Sequence, residues 1–144
     1  MTALALAVLT ALTSTSPAPG LALLPAQPQS SCAQPPALLP SPVERRAILD
    51  ALRPVVVKEL GGPVEFVVTQ IRVIQPYAFL IVTPQRPGGG VIATPSEEMD
   101  GVRTEAILTK RNGRWSVTHH GIGATDVWYA GEVDNYPAGL IPGC

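Results

Sequence analysis

The chain has 144 residues, of which 46% are hydrophobic and 15% charged, and its formal net charge is −1. This length fits one domain of ordinary size, and the low charge excludes a chain kept disordered by charge repulsion. The balance of Lys and Arg against Asp and Glu also excludes a basic nucleic-acid-binding surface, so no nucleic-acid partner is expected.

The start of the chain resembles an export signal, because no charged residue precedes Glu44. Residues 3–12 form an apolar run that is too short to span a bilayer as a helix, which takes about 20 residues, but has the length of a signal-peptide hydrophobic region. We predict a signal peptide over residues 1–22, with cleavage after Ala22 or Ala26 and export to the periplasm or the exterior. No Lys or Arg precedes the apolar run, which leaves open a start further upstream.

A proline-rich tether is predicted over residues 23–40, where Ser, Gln and Ala separate the prolines. Proline fixes φ and lacks the backbone N–H, so this composition favours an extended segment over a helix or strand. The folded part is then a single domain over residues 41–144.

The two cysteines are Cys32 in the tether and Cys144 at the end of the sequence. An oxidising compartment favours a disulfide between them, and closing so long a loop stabilises by up to about 4–5 kcal/mol in the chain-entropy model. Lipidation of Cys32 is the alternative, which Ser30 and Ser31 favour and Gln29 does not. Two free thiols are the third state. We expect membrane attachment only if Cys32 is lipidated.

A helix is predicted from Ser41 onward, because Ser41-Pro42-Val43-Glu44 is a capping box with proline at the first helical position. Apolar residues then recur at three- and four-residue spacing until Gly61-Gly62-Pro63, which stops the helix. Pro54 lies inside this segment and predicts a kink, since it removes one backbone hydrogen bond. The pattern predicts one N-terminal amphipathic helix with a single apolar stripe.

Strands are predicted from Val64, where the apolar period changes to two. The parity flips between Val68 and Ile71, which predicts a β-bulge in the first strand. A Gln-Pro turn then leads to a second strand over residues 77–83. A glycine-rich loop follows and extends to about residue 101.

Asn112-Gly113 is a strong signal for a two-residue type I′ hairpin turn, here between predicted strands over residues 102–111 and 114–122. One helix followed by four antiparallel strands in a meander predicts an α+β domain in which the helix packs on the sheet. The tail, residues 131–144, is expected to be irregular and held mainly by Leu140 and Ile141.

The register of this hairpin follows from counting outwards from the turn. The count places Ala106 opposite His119 and Glu105 opposite His120. The face that carries Ala106, Leu108 and His119 is then the predicted core face, and Glu105 and His120 lie on the outer face.

Three segments carry a resemblance to known proteins: Pro63-Val64-Glu65-Phe66-Val67-Val68, Asn112-Gly113-Arg114-Trp115 and Gly121-Ile122-Gly123-Ala124-Thr125-Asp126-Val127-Trp128-Tyr129. They resemble a group of small uncharacterised bacterial exported proteins over most of residues 43–130. The resemblance implies export but no activity, since none is established for that group. The element order is also similar to the cystatin-like and nuclear-transport-factor-like small folds.

The adjacent His119 and His120 cannot both bind one metal ion, because neighbouring residues of a strand point to opposite faces. No metal site and no cofactor are therefore expected. The favoured interpretation is a partly buried His119 and a surface His120 that pairs with Glu105.

No catalytic residue is predicted, because a nucleophile must lie within ~3 Å of its base. Ser116 and His120 share a strand face but lie about 13 Å apart at ~3.4 Å per residue. Ser96 lies in the predicted loop without a nucleophile-elbow motif. The alternative is a small hydrolase or isomerase with a cleft between helix and sheet, using His119 or Asp126 as acid/base.

Residues 121–129 combine two glycines, a Thr-Asp turn and two aromatic side chains. Trp and Tyr are enriched in recognition sites, so this loop predicts an exported binding or accessory domain of the bacterial envelope. The expected partner is an envelope protein, a peptide or a glycan. If the aromatics are instead buried, they cover the open end of the core. The candidate binding residues are Glu105, His120, Asp126, Trp128 and Tyr129.

The predicted hairpin tip carries the cations Lys110, Arg111 and Arg114. Three charges are few, and a solvated tip is the favoured interpretation. Contact with an acidic partner or with anionic headgroups is the alternative.

Overall fold

The computed structural model describes residues 39–143. The predicted signal peptide, nearly all of the predicted tether and both Cys32 and Cys144 lie outside these residues, so the cleavage and disulfide predictions stay predictions. In the part of the chain that is described, no helix is both long enough and apolar enough to cross a membrane.

The first element of the described residues is helix α1, Pro42–Leu60, which is continuous through Pro54. Since residues 1–41 precede it, the helix is not N-terminal in the chain, contrary to the prediction. It begins where predicted, because the Ser41 hydroxyl accepts a hydrogen bond from the Glu44 N–H at 3.2 Å. The Glu44 carboxylate accepts hydrogen bonds from Lys110 Nζ at 3.0 Å and from Gln75 Nε2 at 2.6 Å. One face of the helix is buried at four-residue spacing, through Ile48, Leu52, Val56 and Leu60.

The C-terminal end of α1 is capped by Arg86, which comes from a distant loop. Its guanidinium donates hydrogen bonds to the carbonyls of Leu60 and Pro63, each at 3.2 Å, and to the carbonyl of Gly61. The last carbonyls of a helix lack hydrogen-bond partners within the helix and lie at the negative end of its dipole. A guanidinium donates hydrogen bonds to these carbonyls, and its positive charge interacts favourably with the dipole. Gly61 has a φ of 64°, a conformation that favours glycine after a helix.

Four strands follow as an antiparallel meander in the order β1-β2-β3-β4. Their bounds are β1 Glu65–Ile74, β2 Tyr77–Gln85, β3 Thr104–Arg111 and β4 Arg114–Ile122. One helix packed with a four-stranded antiparallel sheet confirms the predicted α+β class. The predicted bulge in β1 is confirmed between Val68 and Gln70. The predicted turn is confirmed as well, since Asn112 and Gly113 have φ values of 50° and 76°, as type I′ requires.

Both faces of the sheet are covered. On the helix face the buried strand residues are Ile71, Val73, Ala78, Leu80, Val82, Ala106, Leu108 and Trp115. On the other face a 3₁₀ helix, Trp128–Asn135, and the tail that follows it contribute to a second cluster of Phe79, Ile81, Ile107, Tyr129, Leu140 and Ile141. The prediction of one core face was therefore incomplete. The unbroken apolar run of β2 fits a strand that is buried on both sides.

The register of β3 and β4 changes near the middle of the hairpin. From the turn as far as the pair Leu108 and Val117 the observed pairs follow the predicted count, but the next pair joins Ile107 to His119. Thr118 is thus one extra residue in β4 and forms a bulge. For residues beyond Thr118, the predicted pairs are wrong, because each residue of β4 lies opposite the β3 residue one position away from the predicted one.

Candidate functional site

The bulge in β4 moves His120 to the helix face of the sheet, opposite Ala106 and away from Glu105. Its Nε2 lies 2.6 Å from Oε1 of Glu59 in the last turn of α1. The predicted pairing of His120 with Glu105 is therefore wrong, and Glu59 is the acidic partner. Sequence reasoning missed Glu59 because nothing in the local pattern marks the extra residue that brings the two together.

The two acid/base residues of the alternative hypothesis, His119 and Asp126, are both exposed. The prediction that His119 is partly buried is wrong, because the bulge turns it outward opposite Ile107. The Ser116 hydroxyl donates a hydrogen bond to the Thr109 carbonyl at 3.3 Å. Within residues 39–143, no group of three His, Cys, Asp or Glu side chains could hold a metal ion.

Glu105 lies in β3 opposite Gly121 and is buried, with 4% of its surface exposed. Its Oε1 lies 3.1 Å from Nε of Arg103, whereas its Oε2 is buried and makes no hydrogen bond within the described range. Loss of hydration raises the pKa of Glu105, and the charge of Arg103 offsets this only in part. The site thus contains a carboxylate whose ionised form is disfavoured.

Trp128 lies over the end of β4, where its indole covers Gly121. A Cβ atom at position 121 would lie 2.4 Å from Nε1 of Trp128, so glycine is what allows the ring to approach the strand this closely. The indole N–H approaches Glu105 closely enough to lower the pKa of that carboxyl, yet it does not complete a hydrogen bond. Trp128 is half-buried, so one part of its ring belongs to the core and the other faces solvent.

Tyr129 settles one of the alternatives that the sequence left open. It is buried and packs on Phe79 with ring centroids 5.0 Å apart, and its ring meets Trp128 edge-on at 5.8 Å. Tyr129 therefore covers the core, while Trp128 lies at the margin. The two residues before them, Asp126 and Val127, are exposed, and Val127 exposes 58% of its surface.

The start of this segment is held by backbone hydrogen bonds of Gly123. The Gly123 N–H donates to the Arg103 carbonyl at 2.7 Å, and the Gly123 carbonyl accepts from the Asp100 N–H at 2.9 Å. Gly123 has a φ of 60°, and a Cβ there would lie 2.5 Å from the Gly101 carbonyl oxygen. Residues 124–127 therefore project between two fixed supports, and with Trp128 they form what we call the rim.

Comparison of the chain with protein-family models, with curated proteins and with solved structures found no match. The structure alone establishes the fold class.

Proposed function

We propose that this protein is an exported binding or accessory domain of the bacterial envelope and that loop 121–129 is its recognition site. The observation that carries the proposal is the rim itself. There an exposed carboxylate, Asp126, and an exposed aliphatic side chain, Val127, directly precede the half-buried Trp128 in the chain.

The chemistry of the rim indicates what it binds. Asp126 accepts hydrogen bonds or pairs with a cation, while Val127 and the open part of Trp128 offer apolar contact. A peptide that presents a basic residue beside an apolar one fits this set best. A glycan, which stacks on an indole and donates hydroxyl groups to a carboxylate, and a folded envelope protein are the other ligands to test.

The fixed supports of the rim favour binding. A loop that is ordered before it meets its partner loses little conformational entropy on association. Tyr129 and Gly123 hold the two ends of the rim, so residues 124–127 need not be ordered by the ligand. Binding residues carried by a loop on a rigid scaffold are a common arrangement in recognition domains.

The charge-free start of the chain, its apolar run over residues 3–12 and the proline-rich segment that follows support export. The resemblance to small exported bacterial proteins points the same way. A proline-rich tether also suits an accessory domain, because it separates the folded part from its point of attachment.

Site-specific photo-cross-linking in the producing cell tests the proposal. A photoreactive residue replaces Val127, and in a matched control it replaces Val91, which is 92% exposed in a different loop. We expect a discrete adduct from position 127 of the exported protein, none from position 91, and loss of the adduct in Asp126→Asn.

Two results would contradict the proposal. The first is an equal yield of adducts from both positions, because it reflects chance collisions. The second is the absence of any adduct at position 127 together with an enzymatic activity that His119→Ala or Asp126→Ala abolishes, because that result favours the small hydrolase or isomerase.

A further inference from the structure

A continuous strip of shallow depressions surrounds the first turns of α1. A depression of about 360 Å³ between α1 and the hairpin tip is lined by Val43 and Lys110. Val43 and Arg46 line the next one, and Arg46 and Arg45 line a third of about 370 Å³. Arg45 also lines a fourth of about 300 Å³, beside the bulge of β1. Since each depression shares a residue with the next, they form one surface.

We call this surface the basic strip and define it by two kinds of residue. Its cations are Arg45 and Arg46 of α1 and Lys110 of the hairpin tip, and its apolar residues are Leu39, Pro42 and Val43. Arg111 and Arg114 also belong to the hairpin tip but lie outside the four depressions. The tip and the start of α1 are joined directly, since Glu44 Oε1 lies 3.0 Å from Lys110 Nζ.

The positive charge of the basic strip is largely uncompensated. Lys110 pairs with Glu44, but within residues 39–143 the strip residues Arg45 and Arg46 take part in no ion pair, and neither do Arg111 and Arg114 at the nearby hairpin tip. All four of these arginines are exposed. Asp50 also lines the third depression, together with Arg53, from which it lies 3.6 Å. Although the chain as a whole has a net charge of −1, this end of the domain is positive.

The opposite end of the sheet carries the compensating acids. β3 begins at this opposite end and runs toward the hairpin tip. The loop that precedes β3 contains exposed acidic residues. The exposed acids at this end are Glu97, Glu98 and Asp100 in that loop and Asp126 in the rim. A domain polarised in this way orients itself when it approaches a negatively charged surface.

The apolar part of the basic strip narrows the choice of partner. Leu39 and Val43 expose 80% and 81% of their surfaces, an unusual exposure for large aliphatic side chains beside cations. Nucleic acids and anionic glycans supply negative charge but no aliphatic surface to receive such side chains. A bilayer with anionic headgroups supplies both, because cations meet its phosphates while apolar side chains enter the boundary with the acyl chains.

We propose that the basic strip docks this domain on an anionic lipid surface. The chain upstream of Leu39 joins the domain at this strip, so lipidation of Cys32 would bring the same end to the membrane. A strand of eight residues rises about 3.3 Å per residue, so the rim at the far end of β3 and β4 stands about 25 Å from the strip. Docking therefore leaves the rim free to bind its partner.

Vesicle sedimentation with the full chain tests this docking, using vesicles of phosphatidylglycerol with phosphatidylcholine and vesicles of phosphatidylcholine alone. We expect binding to the anionic vesicles and a roughly fivefold loss in Arg46→Gln, since a cation at an anionic surface contributes about 1 kcal/mol. Lys58→Gln, which removes an exposed cation from the last turn of the same helix, is the matched control and should bind like wild type.

The apolar contribution is tested with Val43→Ser against Val91→Ser, because both valines are almost fully exposed. We expect weaker vesicle binding for Val43→Ser alone. All variants share the same upstream chain, so any membrane insertion of residues 3–12 is common to every comparison.

Three results would overturn the proposal. Equal losses in Arg46→Gln and Lys58→Gln would show that the site is not at this end of the domain. Equal binding of wild type to neutral and anionic vesicles would show that charge does not guide it. Tight binding to soluble polyphosphate that depends on Arg46 but not on Val43 would assign the strip to a polyanion. None of these results bears on cross-linking at position 127, which tests the rim.

Discussion

The indole N–H of Trp128 lies against the carboxylate of Glu105, and each residue contributes a buried polar atom that makes no hydrogen bond within the described residues. Such a pair is costly, because both groups lose hydration without gaining a full partner. Burial mainly destabilises the ionised form of Glu105 and thereby raises the pKa of this carboxyl. The base of the recognition loop therefore becomes less stable as this carboxyl ionises.

Replacing Glu105 by Gln should stabilise the folded protein at neutral pH. Because the pKa of Glu105 is higher in the folded state than its ordinary value of 4.5, the penalty is absent at lower pH, where the carboxyl is protonated in both states. The penalty develops as the pH rises from that value through the folded-state pKa. We expect the melting temperature of Glu105→Gln to exceed that of wild type at pH 7 and to match it below about pH 4.5.

Glu98→Gln serves as the control, because Glu98 is exposed and its neutralisation should leave the melting temperature unchanged across this range. If Glu105→Gln were less stable than wild type at pH 7, the ion pair with Arg103 would outweigh the desolvation, and our description of the site would be incorrect.

Gly121→Ala should destabilise the protein by about 1–3 kcal/mol, because the new methyl group displaces the indole of Trp128 from β4. Gly131→Ala, in the 3₁₀ helix, is the matched control, since a Cβ there meets nothing within 4 Å and its effect should stay within about 0.5 kcal/mol. Urea unfolding of both variants measures the difference. Equal stabilities would mean that Trp128 does not lie on Gly121.

Arg86→Ala should cost about 1–3 kcal/mol, because it leaves three carbonyls at the end of α1 without their charged donor. Arg86→Lys should recover only part of this, since one ammonium group lacks the forked geometry of a guanidinium. Arg111→Ala removes an exposed arginine that has no ion pair in the described part of the chain, and it should leave stability unchanged. A loss in Arg111→Ala equal to that in Arg86→Ala would argue against the cap.

A double-mutant cycle tests the shifted register of the hairpin. Glu59→Gln and His120→Gln should couple by about 0.2–1 kcal/mol, as expected for two largely exposed polar side chains in direct contact at 2.6 Å. Glu105→Gln and His120→Gln should show no coupling, because the bulge at Thr118 separates them. Coupling of His120 to Glu105 but not to Glu59 would instead support the regular register predicted from the sequence.

The features of the fold that could be predicted are those with a local cause. Ser41 and Gly61-Gly62 mark the ends of α1 because capping and left-handed backbone are encoded within a few residues. Asn112-Gly113 marks the hairpin turn for the same reason. The bulge of β1 was visible because Val68 and Ile71 belong to apolar patterns of opposite parity.

The bulge of β4 could not be predicted, because residues 117–120 show no contrast between apolar and polar positions that would reveal a change of face. The burial of the second sheet face could not be predicted either, since it depends on long-range contacts of the tail. The prediction that Leu140 and Ile141 hold the tail is confirmed by their burial, but nothing local shows that they pack with Phe79. The cap by Arg86 is likewise a long-range contact.

Export is the condition for every envelope partner proposed above, so the mature protein recovered from the producing cell should be weighed intact, with and without reductant. We expect a chain that begins at Leu23 or Gln27 and is lighter by about two hydrogens before reduction, as a Cys32–Cys144 disulfide requires. A chain that begins at a lipid-modified Cys32 would keep export and replace the disulfide by an anchor. An uncleaved chain that begins at Met1 and stays in the cytoplasm would contradict the proposed function.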